Sequence, residues 1–179
     1  MKKSLLLLCL LLVCFGCATN PDNGSTQDGV SNNEFTKAFK EYGFSITAPC
    51  VLEDESSHAM GNDAYYAGTE NPDDPDKATG YQVVVNKLPE GSKGFADLSE
   101  EEQNEQIDQM KDSGFTNVKS VLFSDNKYPG FVGDKNQDRS MVRLVSFYKD
   151  GCIISLTVVA KTDLDQKFNQ FTDSFKVID

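Results

Sequence analysis

Two cysteines separated by two residues, in Cys14-Phe15-Gly16-Cys17, are the first feature of the chain that could do chemistry. Such a pair can carry out thiol–disulfide exchange at the start of a helix, or supply half of a zinc site. Here it follows Lys2, Lys3 and an apolar run from Leu5 to Phe15, which together form an export signal. The run is too short to cross a bilayer as a stable helix. Cleavage of the signal removes Cys14, so the mature protein does not contain the pair.

The position of Cys17 at the cleavage point has two interpretations. Ordinary signal cleavage could fall after Gly16 or Ala18. Alternatively, the segment resembles a bacterial lipoprotein signal, in which the thiol of Cys17 is diacylglycerated and the chain is cut immediately before it. The small Gly16 and the polar stretch that follows suit such a signal. We favour lipidation of Cys17, which predicts attachment to the membrane through acyl chains rather than through a spanning helix.

Composition divides the chain into three parts. Residues 1–16 are the predicted lipoprotein signal peptide. Residues 17–33 carry the lipid and are dominated by Gly, Asn, Asp, Ser and Thr, which is typical of a flexible tether. Residues 34–179 number 179 − 33 = 146, enough for one domain with its own core. We expect this domain to fold alone as a soluble monomer.

The charge of the chain restricts its partners. The formal net charge is −11, and removal of Lys2 and Lys3 with the signal makes it −13. This balance argues against nucleic acid as a partner, because phosphate contacts need a basic face. An anionic bilayer would also repel the domain, so contact with the membrane should depend on the lipid. The remaining role of the charge is solubility.

The domain retains two cysteines, Cys50 and Cys152. An exported protein meets an oxidising compartment, where such a pair often forms a disulfide. The alternative is two buried free thiols. Sequence fixes no Cα–Cα distance, so both alternatives remain open at this point.

The start of the domain is ambiguous between helix and strand. Ser31 to Glu34 forms a capping box for a helix through Tyr42 that Gly43 would end. Alternatively, apolar and polar residues alternate from Phe35 as in a strand. The next run, Phe44 to Ala48, alternates cleanly and stops at Pro49, which predicts a strand.

The middle of the chain predicts four strands and one helix. The strands are expected at residues 64–69, 81–88, 117–123 and 128–133. The helix should run from Leu98 to Ser113, with a capping box between Ser99 and Glu102 and a left-handed stop at Gly114. Its apolar stripe is sparse, so it should lie shallowly on the surface.

The strongest local pattern is a hairpin followed by a helix. Two β-rich runs flank Asp150-Gly151, which suits a two-residue type I′ turn. Lys149 then faces Cys152, and the core face consists of Val145, Phe147, Ile154, Leu156 and Val158. After the hairpin, one helical stripe consists of Leu164, Phe168, Phe171 and Phe175. Thr162 or Asp163 should cap this helix, which should cover the sheet.

These elements predict an α+β fold with a single antiparallel sheet flanked by helices. Two segments resemble PsbP-like proteins: Tyr42 to Pro49 (YGFSITAP) is similar to their entry strand, and Ser174 to Ile178 (SFKVI) to their closing segment. The resemblance spans residues 34–179 and implies an α/β/α layered domain. Many relatives have a Trp after the first Pro, where this chain has Cys50-Val51-Leu52. Such proteins often act as accessory or assembly factors and share no catalytic constellation.

Few residues of the domain could support catalysis or hold a metal. His58 is the only histidine and lies in a polar stretch, without the held nucleophile that a Ser-His-acid site needs. Paired acids, such as Glu53 and Asp54, are plentiful but mark no sugar cleft. Asp134-x-Asn136-x-Asp138 matches three calcium-ligand positions of an EF-hand loop, but Arg139 and Val145 stand where Gly and Glu are required. We therefore predict no catalytic, cofactor-binding or metal-binding residues.

The leading functional hypothesis is a non-catalytic bacterial lipoprotein that binds a protein partner or assists assembly, facing the periplasm or the cell exterior. The outer membrane is favoured and the inner membrane is the alternative. A second hypothesis is a small-ligand- or carbohydrate-binding lipoprotein, which a deep pocket lined by Tyr65, Tyr66 and Tyr81 would favour. A hydrolase is the third, and it would need convergent acids or His58 in a cleft.

Overall fold

Alternating β-rich runs and polar turns produce ten strands and three helical segments among the residues that the structure describes. The computed structural model describes residues 34–54, 62–69, 78–137 and 139–178, all within one compact unit. The strands are β1 Phe35–Phe39, β2 Phe44–Ala48, β3 Glu53–Asp54, β4 Asn62–Thr69, β5 Thr79–Lys87, β6 Thr116–Leu122, β7 Tyr128–Gln137, β8 Ser140–Lys149, β9 Cys152–Ala160 and β10 Lys176–Val177. The helical segments are α1 Glu100–Asp112, the single turn α2 Phe123–Asn126, whose Ser124 and Asp125 have non-helical backbone angles, and α3 Leu164–Asp173, with 3-10 turns at Lys40–Tyr42 and Phe95–Asp97. Within these ranges no helix has the length and apolar character needed to span a membrane.

The strands form two antiparallel sheets, so the α+β class stands but the predicted single sheet is wrong. One sheet has three strands in the order β1-β2-β10, and the other has seven in the order β3-β4-β5-β9-β8-β7-β6. In the small sheet, β2 pairs with β1 on one side and with the closing strand β10 on the other. Alternation along a chain identifies strands but not their partners, and the last strand returns to the second rather than extending the large sheet.

The ambiguous segment at the start of the domain is a strand. β1 ends at Phe39, and a 3-10 turn then leads to Gly43, whose φ of 64° is left-handed as the helix-stop pattern required. The four strands predicted in the middle of the chain are present as β4, β5, β6 and β7, with β7 longer than expected.

The predicted hairpin is confirmed residue by residue. Asp150 and Gly151 have φ values of 49° and 77°, as a type I′ turn requires. Lys149 pairs with Cys152, and the pairing continues to Met141 and Ala160. The register therefore follows from the turn, because a two-residue turn leaves one pairing that buries the apolar face.

One face of the large sheet is covered by α3 and by the small sheet. Val83, Ile154, Leu156 and Val158 on this face have no exposed surface. Phe171 of α3 packs edge-on against Tyr81 at 5.2 Å between ring centroids. The predicted aromatic stripe is confirmed, although Phe175 lies just beyond the end of α3. The predicted side-chain cap is not formed: Asp163 precedes the helix in a left-handed conformation, with φ of 57°.

The opposite face of the large sheet carries α1. Ser99 and Glu102 form the predicted capping box, and Gly114 has the predicted left-handed backbone, with φ of 88°. Met110 is the buried residue of this helix, and its methyl lies near Gly133. The helix thus covers little of the sheet, as its sparse stripe predicted.

Candidate functional site

Several sequence-predicted site residues lie outside the described residues. Cys17 and the whole signal and tether belong to residues 1–33, and His58 belongs to residues 55–61. Asp138, the third position of the calcium-like pattern, is likewise not described. Lipidation at Cys17 and the absence of a role for His58 therefore stay predictions.

Asp134, the first position of the calcium-like pattern, is engaged by protein groups. Arg143 donates from Nε to Asp134 Oδ1 at 2.6 Å, and Asn117 donates to Oδ2 at 3.1 Å. Burial alone would raise the pKa of Asp134, but these hydrogen bonds and the Arg143 charge outweigh it and hold the pKa below its usual value. Among the described residues, no group of three or more His, Cys, Asp or Glu side chains could hold a metal ion.

Cys50 and Cys152 are free thiols in the structure. Cys152 pairs with Lys87 at the turn end of β5, whereas Cys50 interacts electrostatically with Tyr81. Tyr81 lies 87 − 81 = 6 residues from Lys87 on β5, about 20 Å along an extended strand. A disulfide between Cys50 and Cys152 stays a prediction. Burial raises the pKa of both thiols, which keeps them protonated and weakly reactive.

The three tyrosines proposed for a ligand pocket do not line one cavity. Tyr65 pairs with Val83 and Tyr66 with Gln82, so their side chains lie on opposite faces of the large sheet. Tyr65 packs edge-on against Phe39 at 4.8 Å, within the core. Tyr81 is buried against α3, and this burial, with Cys50 nearby, raises its pKa to about 12.

A buried lysine ties the hairpin to the small-sheet side of the core. The Lys149 side chain is 4% exposed, and its Nζ donates to the carbonyl of Tyr42 at 3.0 Å and to the Asp150 carboxylate at 2.5 Å. These two partners satisfy a cation that would otherwise be costly to bury. Because its donors are engaged inside the protein, we assign Lys149 a structural role.

Among the described residues, a candidate site is a groove of about 610 Å³ beside α3, at the β6 end of the large sheet. Three valines from neighbouring strands form its floor: Val121, Val132 and Val145. Its walls are formed by Lys119, Leu122, Phe123, Ser124 and Asp125 on one side, and by Phe168, Thr172, Asp173 and Phe175 on the other. The pairing of Val132 with Val145 and of Lys119 with Val132 places these strand residues on one face. The groove is therefore the part of that face that α3 does not fill.

An ion-pair network stands next to the groove. Arg143 binds Asp134 of β7 and Asp165 of α3, and its guanidinium lies 5.6 Å from the centroid of the Phe168 ring. These contacts join α3 to the strands where the groove begins. Lys119, on the groove wall, lies close enough for its charge to lower the pKa of Asp134.

The other end of the groove is formed by a strained turn. Ser124, Asp125 and Asn126 all have positive φ, of 49°, 52° and 61°. Three consecutive left-handed residues that are not glycine are rare, and each costs about 1–3 kcal/mol. A contact between Phe123 and Phe147, stacked at 4.3 Å, fixes the start of this turn. The turn carries the Asp125 side chain to the groove.

The sequence identified the elements around this groove but not the groove itself. The two strands that flank Ser124-Asp125-Asn126 are predicted from the sequence, at residues 117–123 and 128–133. The signal that could have drawn attention to the site is Leu122, a large apolar residue next to that turn, which is 57% exposed. Asp173 offered no signal, since its position beside β6 depends on how α3 crosses the sheet.

Comparison with known proteins gives a likeness of shape. No protein-family model matches the sequence, and no curated protein matches it. Among solved structures, the chain is similar to the solution structure of cyanobacterial PsbP (CyanoP) from Synechocystis sp. PCC 6803, with a TM-score of 0.46 and 12% sequence identity over 86% of this chain and 98% of that one. At this identity and TM-score the match says nothing about the activity or the partners of this chain.

Proposed function

We propose that the protein is a lipid-anchored, non-catalytic lipoprotein of a bacterial cell envelope, and that its groove binds part of a protein partner. The observation that carries the binding role is the groove, whose floor consists of the apolar side chains of Val121, Val132 and Val145. Concave apolar surfaces are typical of sites that bind another molecule. The anchor rests on the signal that ends at Cys17.

An accessory or assembly role fits this proposal. It derives from the resemblance of the entry and closing segments to PsbP-like proteins. In this role the tether would let the domain reach a partner at the membrane surface, because a flexible chain of this composition spans a wide range of distances. The acidic surface keeps the domain itself away from anionic lipid.

A second candidate function is the binding of a small ligand in the same groove. The volume of about 610 Å³ lies within the range of small-molecule sites, and phenylalanines contribute to its walls. A small ligand would be held mainly by apolar contacts, with Thr172 and Ser124 as the neutral polar groups. The two candidates differ in size of occupant, so chemical cross-linking separates them.

The anchor is tested by metabolic labelling with a fatty acid. The wild-type protein and Cys14→Ser should both incorporate label, because neither loses the acylated thiol. Cys17→Ser should incorporate none and should be either unprocessed or released from the membrane. Absence of label from the wild-type protein would remove the lipoprotein proposal.

The binding role is tested in intact cells with a photo-crosslinking amino acid in place of Leu122. A discrete protein adduct should form there and not at the matched exposed position Glu105 on α1. A small mass increment at Leu122, without a protein adduct, would support the ligand-binding candidate. Robust turnover by the purified protein in hydrolase panels would overturn the non-catalytic assignment.

A further inference from the structure

The groove lies beside an open edge of the large sheet. Among the described residues, β6 is the last strand of the seven and hydrogen-bonds β7 alone. Such an edge presents unpaired backbone N–H and C=O groups, and proteins usually protect it with bulges, charges or proline.

The first half of β6 has this protection. Its register against β7 shifts between Thr116 and Lys119, and Asn117 within the shift has φ of 53°. The Asn117 side chain also turns back to bind Asp134. A bulge followed by a lysine is a common way to prevent another strand from pairing.

The second half of β6 lacks these devices. Ser120, Val121 and Leu122 pair in continuous register with residues 131, 130 and 129 of β7, without a bulge. Leu122 remains 57% exposed. The half of the edge that is regular enough to accept another strand is therefore the half that borders the groove.

The charges around the groove select the partner. Neither Asp125 nor Asp173 has an ion pair within the part of the chain that the structure describes. The lining has a third charged residue, Lys119, whose charge also acts on Asp134, so the groove has two carboxylates and one cation. With a net charge of −11 for the chain, the groove favours a basic segment over an acidic one.

We propose that the groove binds an extended, basic polypeptide segment that adds as a strand to Ser120–Leu122. Alternate side chains of an added strand point to one face, so every second residue of the segment lies over the groove. Its apolar side chains contact the valine floor, and its lysines or arginines approach Asp125 and Asp173. This inference rests on the proposed protein-binding function and specifies the chemistry of the partner.

The test begins with selection of short random peptides displayed on phage against the full chain purified in detergent. Enriched peptides should alternate apolar residues with lysine or arginine. A matched peptide that is N-methylated at alternate backbone nitrogens should lose binding, because it cannot pair with the strand edge. Hydrogen exchange at residues 120–122 should slow when the unmodified peptide is bound.

Charge selection is tested with Asp125→Asn combined with Asp173→Asn. This double variant should weaken binding of the selected peptide about three- to tenfold and reduce its salt dependence. Asp112→Asn combined with Glu105→Gln removes the same charge from exposed positions on α1 and should leave affinity unchanged. Equal weakening by both double variants would show that net charge, not the groove, attracts the peptide.

The outcomes separate this inference from the proposed function. If a protein cross-links at Leu122 but the enriched peptides are acidic, or bind equally well when N-methylated, the strand-addition inference is wrong and the binding function stands. If no peptide is enriched, the inference is also wrong. If, in addition, no protein cross-links at Leu122, the proposed function fails as well.

Discussion

Two regions of the same sheet face differ in how completely they are covered. Over β5 and β9, α3 and the small sheet bury the inward side chains of residues 79–85 and 152–160, and Val83, Ile154 and Leu156 have no exposed surface. Over β6 and β7, Val121 and Val132 are only partly buried and border the groove. Both regions show strand alternation, so the difference arises from the layer above the sheet.

The limited length of α3 explains the difference. Its 10 residues span about 15 Å, and neighbouring strands lie about 4.8 Å apart, so the helix covers roughly three strands at most. α3 contacts β9, β8 and β2, while the single turn α2 contacts β7. A short helix on a wide sheet therefore leaves a groove at one end, and the following predictions test that account.

The largest predicted effect is a contrast between core and groove. Phe171→Ala should lower the free energy of unfolding by about 3–5 kcal/mol, because it removes a buried ring from the covered region. Val121→Ala should cost less than about 1 kcal/mol, since this side chain is partly exposed at the groove. Urea unfolding measures both. Similar losses would show that the outer region is packed as tightly as the inner one.

Gly130→Ala tests whether the outer strands β7 and β8 are tightly paired even though no helix covers them fully. A Cβ at Gly130 would lie 2.7 Å from Phe147 Cα and would also collide with the Ser146 carbonyl oxygen. We expect a loss of about 2–3 kcal/mol in the free energy of unfolding, because β7 and β8 would have to separate. Gly68→Ala is the matched control, since its Cβ would meet only the movable end of Tyr66. If Gly130→Ala left the free energy of unfolding unchanged, β7 and β8 would be able to separate at little cost, and the outer strands would be loosely packed.

The sequence predicted local structure much better than it predicted which distant segments of the chain pack or pair together. The pairing of Lys149 with Cys152 follows from two turn residues and an apolar face, which are local facts. By contrast, the pairing of β10 with β2 joins opposite ends of the chain, and the groove depends on the path of α3 across the sheet. A disulfide between Cys50 and Cys152 belongs to the same class of question, because no local pattern sets a distance between distant segments.

The ion pair at the boundary of the two regions should make stability depend on pH. The pKa of Asp134 is lowered in the fold, so its stabilising contribution is complete above the ordinary aspartate pKa of about 3.9 and is lost as pH falls below it. Asp134→Asn should cost about 1–2 kcal/mol at pH 7, and the difference from wild type should shrink below about pH 4. Thermal unfolding across this range measures it. The exposed Asp112→Asn is the control and should show no such pH dependence. If the stability difference between Asp134→Asn and wild type stayed constant across this pH range, the ion pair of Asp134 would not be its cause.

The smallest predicted effect concerns the strained turn at the far end of the groove. Ser124 has φ of 49° and ψ of 89°, a backbone conformation that glycine adopts more readily. Ser124→Gly relieves a steric cost of about 1–2 kcal/mol but increases the freedom of the unfolded chain, which offsets about half of the gain. We therefore expect the free energy of unfolding to rise by about 0.5–1 kcal/mol, measured by urea unfolding. Ser120→Gly in β6, where φ is not positive, should lower it by a similar amount. If Ser124→Gly instead destabilised the protein, the backbone of Ser124 would not be strained. The outer region would then owe its shape to the turn itself rather than to contacts such as the stacking of Phe123 on Phe147.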